Sequence, residues 1–130
     1  MLESALYIAI AVFMQFALTM NVVRLRRRHK VAIGDGDYPE LQRAIRMHGN
    51  FIETVPIALL CLSVYENVVM PPFWTVHALG MMLIISRLMH VISLKTRLPL
   101  LRVLGMVGTL LAMIIPAGII MLHYFRIIHF

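Results

Sequence analysis

From Leu2 to Val23 the chain runs through an almost unbroken apolar stretch, with Glu3 at its outer end and Gln15 and Asn21 as its main polar interruptions. As a helix, roughly 20 such residues cross about 30 Å of hydrocarbon. Three more spanning segments follow, the first of them polar in its first half and apolar from Val55 to Val64, and the pattern predicts four transmembrane helices at about residues 2–23, 40–69, 73–94 and 103–125. The expected fold is therefore an all-α integral membrane protein, a single four-helix transmembrane domain over residues 1–130. Composition agrees. Hydrophobic residues make up 61% of the chain and charged residues 14%, against about 25% charged in soluble proteins; mean hydropathy is +0.87. The first segment lacks the basic N-terminal region and small-residue cleavage site of a secretory signal, so it is expected to be retained.

Local signals place the breaks. Gly34-Asp35-Gly36-Asp37 reads as a turn, and Asp37 with Glu40 around Pro39 as a helix start. Pro71-Pro72 end the second helix, while Lys95, Arg97, Pro99 and Arg102 mark a short basic loop before the fourth. Pro56 and Pro116 are expected kinks, and Gly105, Gly108 and Gly118 permit close helix approach. No internal repeat is evident.

The formal net charge of +6 does not point to nucleic acid, because the basic residues flank apolar runs where they face phospholipid headgroups. Ten of the twelve lie in the first and third loops or beside them: Arg24, Arg26, Arg27, Arg28, Lys30, Arg43, Arg46, Lys95, Arg97 and Arg102. Arg126 lies on the opposite side and Arg87 within a helix. Positive residues stay in the cytoplasm, so both termini are expected on the outer side. The single Cys61 forms no intrachain disulfide and reads as a packing residue. The loop around Asp35 lacks the further ligands of a calcium site. His77, His123 and His129 show no metal spacing, and His48 reads as a helix-surface residue, so no metal is expected.

Chemistry concentrates at the basic end. Arg43, Arg46, Asn50 and Glu53 are spaced three, four and three apart, which lines one face of the second helix. Arg87 and His90 share a face of the third. A charge facing lipid at the bilayer centre costs about 2.5–3.5 kcal/mol on insertion scales, a large fraction of a folding free energy of roughly 5–15 kcal/mol. Pairing inside the protein avoids that cost, so a Glu53–Arg87 ion pair is expected, within the bundle or between subunits. Arg24, Arg46, Asn50, His90 and Arg102 cluster near the same mouth. Several cationic donors beside a carboxylate and an amide suit a small, multiply charged ligand. Arg26 to Arg28 read more simply as headgroup contacts.

Arg46-Met47-His48-Gly49-Asn50-Phe51-Ile52-Glu53, followed by Pro56, resembles the Arg-x-x-x-Asn-x-x-Glu signature of the membrane-associated proteins in eicosanoid and glutathione metabolism, the MAPEG family. Val23-Arg24-Leu25-Arg26 is similar to that family's basic end of the first helix, and Ser86-Arg87-Leu88-Met89-His90 to its Arg-x-x-His element. The likeness covers nearly the whole chain and is strongest to the short bacterial branch. It implies a homotrimer, placed in a bacterial inner membrane, with glutathione bound between subunits near the cytoplasmic face. By the same resemblance Arg24, Arg46, Asn50, Glu53 and His90 would line or support that site. Arg102 would stabilise a glutathione thiolate attacking a lipophilic substrate that arrives from lipid.

The leading expectation is thus a glutathione transferase or peroxidase acting on lipophilic electrophiles, with membrane lipids as surroundings and no nucleic acid partner. Gly49, Leu94, Met106 and Val103 stand where better-known family enzymes carry an arginine, two tyrosines and a serine. They motivate a second expectation, a non-catalytic lipid-binding or regulatory protein on the same scaffold. A small transporter using Glu53 is the third.

Overall fold

The computed structural model describes residues 2–96 and 98–125, with the side chains of Leu94 and Lys95 not among them. Expectations for Arg97, Arg126 and His129, and for the Leu94 and Lys95 side chains, lie outside the described residues. Four helices form: α1 Ser4–His29, α2 Pro39–Val69, α3 Phe73–Thr96 and α4 Pro99–Tyr124. Each is long and apolar enough to span a membrane, and no strand occurs among the described residues. The four-helix integral membrane architecture stands.

Two boundaries move, both at the basic end. α1 continues past Val23 to His29, because arginines are good helix formers and four basic residues in its last turn oppose the negative end of the helix dipole. It stops at Lys30, which adopts a left-handed conformation at φ 55°. The Val31 N–H then donates to Arg26 O at 3.0 Å and the Lys30 N–H to Arg27 O at 3.3 Å, the paired bonds of a Schellman stop. α4 begins at Pro99 rather than Val103. Pro99 supplies a helical φ and has no N–H to leave unsatisfied, and Leu98 before it is extended. Arg102 therefore sits in the first turn of α4.

The other punctuation falls where the residues indicate. Pro39 opens α2 after an extended Tyr38, with Glu40 in the first turn. Asp37 does not cap the helix; Asp35 Oδ1 accepts from the Asp37 N–H at 3.1 Å and holds a local turn instead. Met70, left-handed at φ 50°, ends α2 before Pro71-Pro72. Both helices continue through Pro56 and Pro116.

α2 and α3 form the middle of the bundle. α1 packs on one side of them and α4 on the other, and among the described residues α1 and α4 do not touch. The main core joins Tyr7, Phe51, Val55, Leu62, Val76 and Leu83. A second cluster at the basic end holds Leu25, Leu41, Ala44 and Met47. The opposite end is tied by polar groups. Glu66 of α2 accepts from the Glu3 and Ser4 N–H groups at 2.5 and 2.9 Å, supplying acceptors that the first turn of α1 lacks. Glu3 Oε2 lies 3.2 Å from His77 Nε2 of α3, and Tyr7 Oη is 2.8 Å from His77 Nδ1.

α4 approaches α3 closely at Gly105, where an added Cβ would lie 2.7 Å from Ser86 O and 2.9 Å from His90 N. Both atoms are backbone, so the helices would have to separate. We expect Gly105→Ala to cost about 1–3 kcal/mol. Gly118→Ala, whose Cβ meets nothing within 4 Å, should be neutral or stabilise by up to about 1 kcal/mol. Thermal unfolding in detergent checks the contrast.

Candidate functional site

The polar face of α2 is set by the apolar face opposite it. At 100° per residue, Met47, Phe51, Val55 and Ala58 share the side turned into the bundle, and all four are buried. Arg46 and Glu53 consequently emerge on the far side and are exposed, with Asn50 half-buried at the edge. α2 is about 46 Å long from its residue count, so Glu53, fourteen residues along it, lies near mid-span. An exposed carboxylate at that depth is costly against lipid.

Arg87 is only 4% exposed, yet it does not meet Glu53. Nη1 donates to Thr54 Oγ1 at 3.1 Å and reaches Asn50 O at 3.5 Å. Nη2 donates to Gly105 O at 3.3 Å and to Thr109 Oγ1. The two threonines are arranged alike. Thr54 Oγ1 donates its proton to Asn50 O at 2.8 Å and Thr109 Oγ1 to Gly105 O at 2.7 Å. Each hydroxyl oxygen is thereby left to accept from the guanidinium. The Glu53–Arg87 ion pair expected from the sequence is not formed in the chain. Glu53 is rotated about 100° from Thr54 around α2, away from the space that Arg87 fills. Thr54 and Thr109 were missed by sequence reading; their one signal is a hydroxyl four residues after Asn50 and after Gly105.

This clamp also fixes levels. Residues 50–54 of α2 stand beside 105–109 of α4, and both helices rise from the basic end. One turn nearer that end, Arg46 and Arg102 come to similar height. Arg102 is exposed, whereas His90 is 2% exposed beneath the first turns of α4. Gly105 brings the α4 backbone onto His90 and covers it. Both His90 ring nitrogens are buried without a hydrogen-bond partner. In the single chain His90 supports this region and does not line a surface.

Arg24 is exposed and donates from Nη2 to Asn21 Oδ1 at 3.0 Å. Both lie on an open groove of about 430 Å³ whose other walls include Met14, Leu18, Met47 and Leu88. Arg46 is about 100° around α2 from Met47 and is absent from that lining. The chain thus places Arg24, Arg46 and Arg102 at one end of the bundle, on separate faces. His48 departs from its expected surface role. Its Nε2 is 3.1 Å from both Gln15 Nε2 and Thr19 Oγ1, joining α2 to α1. Among the described residues no group of three or more metal-ligating side chains occurs.

A double-mutant cycle tests the clamp. Arg87→Met with Thr109→Val should show a coupling of about 1.5–3 kcal/mol, the range for hydrogen bonds to a charged group. Arg87→Met with Glu53→Gln should couple by less than about 0.5 kcal/mol, as non-contacting pairs do. Thermal or denaturant unfolding in detergent provides both values.

Comparison with known proteins agrees with this architecture. The model of the MAPEG family matches residues 4–122. The chain is 39% identical over 112 residues to the inner membrane protein YecN of Escherichia coli K12, covering 86% of this chain and 85% of that protein. The same identity and coverage hold for YecN of Escherichia coli O6:H1. No solved structure matches. With its four spanning helices, its Arg46–Glu53 face and a family match that runs almost end to end, the chain belongs to the MAPEG family.

Proposed function

We propose that the protein binds glutathione and acts as a glutathione transferase or peroxidase on lipophilic electrophiles, as a homotrimer in a bacterial inner membrane. The observation that carries this reading is the outward face of α2, where Arg46 toward the basic end and Glu53 near mid-span are both exposed. A tripeptide with two carboxylates and one ammonium matches two or three guanidinium groups and one carboxylate. Arg24, Arg46 and Arg102 at the basic end, with Glu53 near mid-span of α2, supply that set. Because they lie on separate faces of one chain, the site is completed where neighbouring copies meet, with Asn50 at its edge and His90 behind it. The basic end faces the cytoplasm and both termini the other side. The name of the Escherichia coli relative supports the inner-membrane placement.

The chemistry rests on Arg102. A free thiol with pKa near 8.5 is mostly protonated at neutral pH, and a cation or helix N-terminus favours its thiolate. Arg102 in the first turn of α4 offers both. The thiolate sulfur forms a bond to the electrophilic carbon as the leaving group departs, and the thiol proton passes to solvent. Val103 and Met106, which share the exposed surface of α4 next to Arg102, give no hydroxyl to assist. They favour the second reading, a scaffold that binds ligand or lipid without turnover.

Purified protein in detergent, given glutathione and a chloronitrobenzene, separates the readings. We expect thiol-dependent chloride release, a loss of roughly tenfold to a hundredfold in glutathione affinity for Arg46→Ala, and a drop of about a hundredfold in kcat for Arg102→Ala. Thermal stabilisation by glutathione without turnover would establish the non-catalytic reading. Absence of both would remove glutathione. Proton-coupled export by the reconstituted protein, dependent on Glu53, would instead revive the transporter.

A further inference from the structure

At the basic end of α1, a second concavity lies apart from the residues of the proposed glutathione site. It has a volume of about 350 Å³ and is lined by Val23, Arg26, Arg27, Lys30, Val31 and Ala32. We propose that it binds the headgroup of one anionic glycerophospholipid, with the phosphate among Arg26, Arg27 and Lys30 and the glycerol end against Val23.

Position supports a lipid. α1 is about 39 Å long, while hydrocarbon occupies about 30 Å. With Ser4 at one boundary, roughly 20 residues reach the other near Val23. Arg26 to Lys30 then stand in the headgroup layer. The lining changes character at that level: Val23 lies at the hydrocarbon edge, and Arg26, Arg27 and Lys30 follow it toward the end of α1. A soluble anion has no use for the apolar floor, whereas a phospholipid presents both chemistries.

The cations are also held in place. Arg26 Nη1 donates to Ala32 O at 3.0 Å, which ties its guanidinium to the returning chain. Lys30 occupies the left-handed position of the Schellman stop, where glycine is the usual residue. The same loop uses glycine at two further left-handed positions, Gly34 at φ 76° and Gly36 at φ 57°, and a side chain at a third, Asp37 at φ 61°. At residue 30 the chain accepts the steric cost of a side chain and gains a third cation on the concavity. No carboxylate pairs with Arg26, Arg27 or Lys30 among the described residues; the nearby Glu40 is taken by His29. Opposing lipid binding is the negative end of the α1 dipole, equivalent to about half a charge against three full positive charges.

Lys30→Gly makes a clean test, since it keeps the left-handed stop and removes only the cation. The full-length protein is delipidated in detergent and titrated with phosphatidylglycerol, phosphatidylcholine or inorganic phosphate. Bound lipid is counted by native mass spectrometry. We expect one phosphatidylglycerol retained at least tenfold more tightly than phosphatidylcholine, and inorganic phosphate unable to displace it at equal concentration. Lys30→Gly and Arg27→Gln should each weaken it about fivefold, the effect of roughly one cation near an anionic lipid. Arg43→Gln, at the same end on α2 but outside the lining, should change it less than twofold. Equal retention of the two lipids, displacement by inorganic phosphate, or equal losses from Arg43→Gln and Lys30→Gly would each overturn the assignment. Circular dichroism and unfolding of each variant confirm that the helices remain.

Discussion

A guanidinium buried among three helices without a carboxylate is the constraint on which this bundle depends. Desolvating Arg87 is unfavourable, and the chain offsets it with four neutral oxygens, two on α2 and two on α4. Such a shell works because threonine hydroxyls can donate to their own helix and still accept from a cation. It is geometrically exacting. All four oxygens must be within reach of one side chain on α3, so the rotation and height of α2 and α4 are set together. Gly105 contributes twice, as a carbonyl acceptor and as the gap that lets α4 come close enough.

The functional face follows from that setting. Once Asn50 O and Thr54 point at Arg87, Arg46 and Glu53 must point outward, because a helix has no other direction left for them. Among the described residues Glu53 then has no ion-pair partner, at a depth where an uncompensated charge is unfavourable. Under the proposed function, association with further copies and capture of a charged ligand would relieve the same deficit. The proposed oligomer and the proposed glutathione site would thus be two answers to one electrostatic problem.

Much of this was legible in the sequence. Apolar length gave the four helices, and Pro39, Pro71 and Pro72 marked their breaks through fixed φ and missing N–H groups. The three- and four-residue spacings put Arg46, Asn50 and Glu53 along one strip of α2. The Glu53–Arg87 pairing does not form within the chain. Glu53 and Arg87 were matched by charge and depth, and neither quantity records rotation about a helix axis. Only contacts on the opposite side of α2 fix that rotation. The ends of α1 and α4 were misjudged for a related reason: charge was read as the end of the helix, whereas arginine ends only the membrane crossing. Whether His90 lines the site or supports it was not legible, because sequence carries no sign that Gly105 would bring α4 over it. The Glu66 contact with the first turn of α1 and the Gln15–Thr19–His48 junction were equally invisible, since each joins residues far apart in the chain.

The central claim is that the α2 face carrying Arg46 and Glu53 meets neighbouring copies and glutathione. A spin label at Gly49→Cys, in a Cys61→Ala background, sits on that face between the two charges. Electron paramagnetic resonance in reconstituted membranes should show dipolar coupling among three labels. The label should also be shielded from lipid-dissolved oxygen, and its signal should change when glutathione is added. A label without dipolar coupling, as accessible to oxygen as one at the exposed Phe13 and indifferent to glutathione, would contradict the account.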